Sequence, residues 1–211
     1  MELADLRGSL SGETVWVLGS GPSLGFVDPA FFTGKHTIST NFGASTVGVN
    51  PDFVFSHYHG VAAELLSVSG VVVTLERDTV TQQPWSSFRP ENLVFAPQDS
   101  YSPPGSGWDP FTRNRPPADS LAYGSSSLHG AMHLAAHLGA AHIVLVGADC
   151  GTLDDAHRVD GYPVDGHKPW ALYNKHHQLM KAWLVDNYGV TVQSLNPFIN
   201  FNLEGHRFAG V

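Results

Sequence analysis

One cysteine, Cys150, stands among 211 residues. That excludes an intramolecular disulfide framework and a zinc site built from several cysteines. Charge is also scarce. Only 14% of the residues are Asp, Glu, Lys or Arg, and 11 basic against 19 acidic side chains leave a net charge of −8. A broad basic surface for duplex DNA or anionic lipid is not expected on such a chain. A local basic pocket stays open, because the 12 histidines stand outside that sum. No apolar run approaches the roughly 20 residues that a bilayer-spanning helix needs. The opening MELADLRGSLSGETVW lacks the basic-then-apolar order of a secretory leader. The expectation is a cytoplasmic protein, one domain over residues 1–211, with its oligomeric state open. Glycine (22) and proline (14) are both plentiful, which points to many loops, including loops that carry active sites.

The pattern predicts α/β architecture, a mainly parallel Rossmann-like sheet flanked by helices. Residues 14–18, TVWVL, form a short β-branched apolar run that ends in a glycine turn, the usual opening of such a sheet. Further strands are expected at 36–39, 53–56, 71–75, 93–96, 142–146 and 190–194, and helices at 61–68, 125–138 and 169–188. In the 125–138 helix, Leu128, Ala131, Met132, Leu134, Ala135 and Leu138 share one arc. His129, His133 and His137 form a separate stripe, which is expected to face solvent. Residues 98–119, dense in Pro, Gly and Ser, read as a loop or lid over a ligand, with Trp108, Phe111, Arg113 and Arg115 as its ligand-facing types.

Chemistry gathers where strands end. After the first strand, Gly19-Ser20-Gly21-Pro22-Ser23-Leu24 runs toward a helix expected near Leu24 or Asp28. Unpaired amides at such a start suit phosphate. The turn is neither G-x-G-x-x-G nor a P-loop, for no Lys-Ser/Thr follows. Asn41 follows the second strand, His57 the third, and Gly147-Ala148-Asp149 closes a later one. In an open parallel sheet these positions share one rim, where ligands bind. Ser125, Ser126 and Ser127 open the best helix, as caps or as anion donors. His57 and His59 share a face, but no third ligand accompanies them, so no metal site is expected. His176 and His177 are expected in packing or at the surface, and Cys150 as a half-buried residue without a base. His167, in the polar Asp165-Gly166-His167-Lys168 loop, titrates near neutrality and is free to serve as a general base.

These residues together resemble the bacterial sialyltransferases that use CMP-sialic acid, within a wider Rossmann-like group that includes the archaeal 6-hydroxymethylpterin diphosphokinases. The G-N-G-P-S-L turn of those transferases stands here as Gly19 to Leu24. Their donor-touching asparagine matches Asn41, and a second asparagine is replaced by His57. Their Thr-Ser-Gly helix start is matched by Ser126-Ser127-Leu128, and their G-x-D by Gly147-Ala148-Asp149. Gly166-His167 matches the Gly-His that supplies the base. The resemblance implies transfer of a sugar from a nucleotide-activated donor, CMP-linked in the family, to an acceptor hydroxyl. His167 would take the proton, with inversion, and no cofactor or metal would be needed. Gly151 replaces the tyrosine that the family places two residues after the aspartate, and Tyr162 is offered for its second tyrosine. The donor sugar is therefore open, sialic acid or another. A diphosphokinase and a non-catalytic nucleotide-binding module are the alternatives. The first expects magnesium-binding aspartates near the third strand, where Ser56-His57-Tyr58-His59 stands instead; it shares the Pro51-Asp52 pair.

Overall fold

A computed structural model describes residues 1–67, 70–76, 81, 84–85, 90–97, 120–122, 126–153, 155–163 and 170–195. The expected lid at 98–119, Ser125 and His167 lie outside the described residues.

Among the described residues, seven strands form one sheet: β1 (Thr14–Leu18), β2 (His36–Thr40), β3 (Phe53–Ser56), β4 (Val71–Leu75), β5 (Leu93–Ala96), β6 (His142–Val146) and β7 (Thr191–Ser194), in the order β5-β4-β3-β2-β1-β6-β7. Every pairing is parallel, with Val17 beside Ile38 on one side and beside Leu145 on the other. The strands from β1 to β5 step outward in chain order. β6 then returns to the far side of β1, so the topology switches direction between β1 and β6. The expected α/β Rossmann-like fold is what the chain adopts.

Among the described residues, four α-helices accompany the strands: α1 (Gly43–Thr46), α2 (His59–Leu65), α3 (Ser127–His137) and α4 (Trp170–Tyr188). Both faces of the sheet are covered, which is why its strands are near-continuous in apolar residues. Val15, Val17, Ile38, Phe55 and Leu145 meet α3 and α4 on one face. Leu18, Val146, Leu24, Phe32 and Val159 form a second cluster, and Val54, Val72, Ala62 and Leu65 a third. Gly130 sets the distance of α3 from the sheet, since a Cβ there would stand 2.3 Å from the Phe55 ring.

The structure departs from expectation in the glycine turn and in the α3 histidines. No α-helix follows the glycine turn. Two 3-10 turns take its place, Pro22–Phe26 and Pro29–Phe32, each with proline at its start. Proline suits a first turn but leaves no amide for it to offer, and Gly25 weakens continuation. The histidine stripe of α3 does not face solvent either. His129, His133 and His137 are 0%, 0% and 3% exposed. The wheel placed them away from the apolar arc correctly, but α4 and the N-terminal turn (Leu3–Leu6) cover that flank. Burial obliges each ring to find partners. The Ala122 amide donates to His133 Nδ1 at 2.7 Å, so the proton sits on Nε2 and points to Tyr188 Oη at 2.5 Å. His137 Nε2 donates to the Leu3 carbonyl at 2.9 Å. His177 is fully buried, and His176 is partly so.

Candidate functional site

The carboxyl ends of β1, β2, β3 and β6 open into one cleft enclosing about 640 Å³ of non-protein space, part of it open to solvent. Its position beside the β1/β6 switch is where an open parallel sheet binds ligands. Eight of the sequence-predicted residues line it: Gly19, Ser20, Gly21, Asn41, His57, Ser126, Ser127 and Asp149. Pro22 and Ser23 stand behind it.

The glycines hold the two loops against each other. A Cβ on Gly19 would lie 2.3 Å from the Gly147 carbonyl oxygen, and one on Gly21 would lie 2.4 Å from Asp149 Oδ2. The amides of Gly19 and Gly21 are spent on this contact, donating to Val146 O at 2.7 Å and Gly147 O at 2.8 Å. The expected phosphate-cradling turn is thereby reduced. Among the described residues, the Ser20 amide has no acceptor. Ser23 is buried and does not line the cleft. Its amide donates to Asp149 Oδ2 at 2.8 Å and its hydroxyl to Oδ1 at 2.5 Å. Burial pushes the Asp149 carboxyl up from the ordinary aspartate value, and the two Ser23 bonds pull it partly back. Asp149 thus ties the β6 loop to the β1 turn. Asp149→Asn, which can still accept from the amide and meet the hydroxyl, is expected to keep most of the stability. Asp149→Ala strands two buried donors and is expected to cost about 2–4 kcal/mol in chemical denaturation. Equal losses in both variants would refute this role.

At the helix side, Ser126 occupies the N-cap of α3 without capping it, because its hydroxyl meets His129 Nδ1 at 3.3 Å. Among the described residues, the first-turn amides of Ser127 and Leu128 have no acceptor, and both residues line the cleft. These are donors at the positive end of a helix dipole. The Ser127 hydroxyl joins Asn41 Oδ1 at 3.3 Å and His57 Nδ1 at 3.1 Å. One hydroxyl carries one proton. With Ser127 donating to Asn41, His57 Nδ1 donates to Ser127, and Nε2 is left as the lone-pair nitrogen of the ring. Three strand and helix ends thereby fix one imidazole. Asn41 and Cys150 hold positive φ, 49° and 46°. Non-glycine residues rarely adopt that region, and such strain clusters at ligand sites.

His129 lies behind the Ser127 relay. Its Nε2 is buried with no hydrogen-bond partner among the described residues. Burial first, then the neighbouring His177, His176 and His57, holds its pKa well below the ordinary 6.5, and the Tyr173 backbone opposes this. Unfolded chain binds this proton near pH 6.5 and folded chain only at lower pH. The stability is therefore complete above about 6.5 and drains as pH falls toward the folded value, at about 1.4 kcal/mol per pH unit. Between pH 7 and 5 the unfolding free energy of His129→Leu is expected to fall less steeply than that of the parent chain. Parallel curves would contradict the assignment.

Two further residues of the cleft, Arg158 and Tyr173, carry no local signal in the sequence. Arg158 lines the cleft and, among the described residues, makes no ion pair; its Nε is buried and unpartnered. Tyr173, from α4, lines the same cleft. Burial raises its phenol above the ordinary value of 10, offset by Arg158, so it remains a hydroxyl donor at neutral pH. Arg158 sits in a polar loop without periodicity and Tyr173 on an apolar helical arc, so neither carries a local signal. Tyr162 does not line the cleft; it packs on Phe42 and beneath the Arg158 guanidinium. Asp52 belongs to the opposite, amino-terminal ends of the strands, just before β3, where it accepts from the Thr37 amide at 2.9 Å. Among the described residues, no group of three His, Cys, Asp or Glu side chains could hold a metal ion, and no helix is long and apolar enough to cross a membrane.

No family model and no curated protein matches the chain. A solved structure, the MAf glycosyltransferase from Magnetospirillum magneticum AMB-1, is similar with a TM-score of 0.50 and 14% sequence identity. The likeness covers 92% of this chain and 37% of that protein, and it is a likeness of fold.

Proposed function

We propose that the chain transfers a sugar from a nucleotide-activated donor to an acceptor hydroxyl. The observation that carries this reading is the convergence, in one cleft at the switch point, of Arg158 with the unengaged amides of Ser20, Ser127 and Leu128. Such a set suits a phosphate group and the charge that grows on it as it leaves. The fold shared with a glycosyltransferase supports the same reading. So does the resemblance of the Gly19–Leu24, Asn41, Ser126–Leu128 and Gly147–Asp149 motifs to sialyltransferases.

In the proposed step, the acceptor oxygen forms a bond to the anomeric carbon as the bond from that carbon to the phosphate oxygen breaks. The electron pair leaves on the nucleotide phosphate, beside Arg158, the Ser20 amide and the α3 N-terminus. Tyr173 donates to the same oxygens, in the role that the family gives to the tyrosine replaced here by Gly151. Asn41 and His57, fixed through Ser127, position nucleotide and sugar. His167 is assigned the acceptor proton from the sequence alone. The cleft's described carboxylate, Asp149, already accepts two bonds from Ser23. A magnesium-dependent diphosphokinase has no carboxylate cluster there among the described residues.

A thermal-shift panel of nucleotides and nucleotide sugars tests the reading. CMP or CMP-sugar at about 100 times its Kd is expected to stabilise the fold by about 2.7 kcal/mol, with or without EDTA. A shift that needs both ATP and magnesium would overturn it.

A further inference from the structure

His157 and Arg158 line a second cavity as well as the cleft. This cavity encloses about 1180 Å³ of non-protein space, part of it open, between the Pro22–Phe26 turn and the loop that follows β6. Phe26 lines it and is 68% exposed, although phenylalanine is usually buried. Tyr162 supplies a second ring, and the exposed Asp155 and Asp160 supply carboxylates. Asp155 holds a positive φ of 64°.

We propose that this cavity is the acceptor subsite and that it takes a neutral, hydroxyl-rich carbohydrate. The proposal rests on the glycosyl-transfer reading of the adjoining cleft. A sugar ring offers C–H faces that pack on aromatic rings and hydroxyls that donate to carboxylates, and this cavity presents both. The charges select among ligand classes. The Arg158 guanidinium lies 5.3 Å from the centre of the Tyr162 ring. It takes the place that a cationic ligand would seek on that ring, and it repels such a ligand. Asp155 and Asp160 repel an anionic ligand. A neutral polyol meets neither penalty. The shared wall then sets the acceptor next to the donor phosphate, with Arg158 facing both.

Calorimetry on the full chain tests this with two probes: a panel of methyl glycosides of glucose, galactose, mannose and N-acetylglucosamine, and CMP for the cleft. At least one glycoside is expected to bind in the millimolar range. Phe26→Ala is expected to weaken it about tenfold and Asp160→Asn several-fold, while CMP affinity changes by less than about twofold in either variant. Both side chains are exposed, so both variants are expected to fold. CMP binding with no glycoside bound, or with glycosides bound equally by both variants, would overturn the acceptor assignment and leave the donor reading standing. Glycoside binding that is lost in Phe26→Ala, in a chain that binds no nucleotide, would overturn the donor reading and keep the carbohydrate site.

Discussion

Arg158→Ala is expected to lower kcat/KM for the nucleotide donor by about 100-fold to 1000-fold. The side chain lines the cleft and, among the described residues, has no carboxylate partner, and its guanidinium sits over the face of Tyr162. A guanidinium of this kind, beside helix-start amides, binds phosphate through a planar fork. In the proposed step, removing it takes a charge from the place where negative charge accumulates as the bond to the sugar breaks. Both donor affinity and turnover should therefore suffer. Arg158→Lys restores the charge but not the fork, and it should recover part of the rate. The fold should lose at most the cation–π contact, about 0.5–1 kcal/mol. An Arg158→Ala enzyme within threefold of the parent rate would remove the phosphate from this cleft.

His167→Ala is expected to reduce transfer by about 100-fold to 10,000-fold while the donor Kd stays near that of the parent chain. The assignment rests on the Gly166-His167 match and on an imidazole in a polar loop, five residues after Tyr162 and six before Tyr173. Those two tyrosines line the second cavity and the cleft respectively. A base acts on the acceptor oxygen and leaves donor binding alone, so the kcat/KM profile should lose its acidic limb in the variant. A merely structural role would lower donor affinity and transfer together and keep the limb. His57 gives the contrast. Its ring is held by Ser127 in the cleft proposed for the donor, so His57→Ala should weaken donor binding.

The strands were legible because each is a short β-branched or apolar run that ends in glycine or a polar turn. Thr14–Leu18, Val71–Leu75 and His142–Val146 fall where the sequence placed them, and with them the rim that gathers Gly19, Asn41, His57 and Asp149. What failed depended on other parts of the chain. The angular position of His129, His133 and His137 follows from 3.6-residue periodicity, but their burial follows from α4 and Leu3–Leu6 packing over them, which no local pattern encodes. The sequence places Ser23 in the glycine turn, but Asp149, 126 residues away, takes both its donors. The same cause hid Arg158 and Tyr173. They become site residues only when the β6 loop and α4 meet above the sheet.

Amide chemical-shift mapping of isotope-labelled protein titrated with CMP tests the central claim most directly. The account predicts that the largest shifts fall on Ser20, Asn41, Ser127, Leu128 and Cys150, at the carboxyl ends of β1, β2 and β6 and the start of α3. Shifts that cluster instead around Lys35, Gly48 and Asp52, which line a cavity at the amino-terminal ends of β2 and β3, would contradict it.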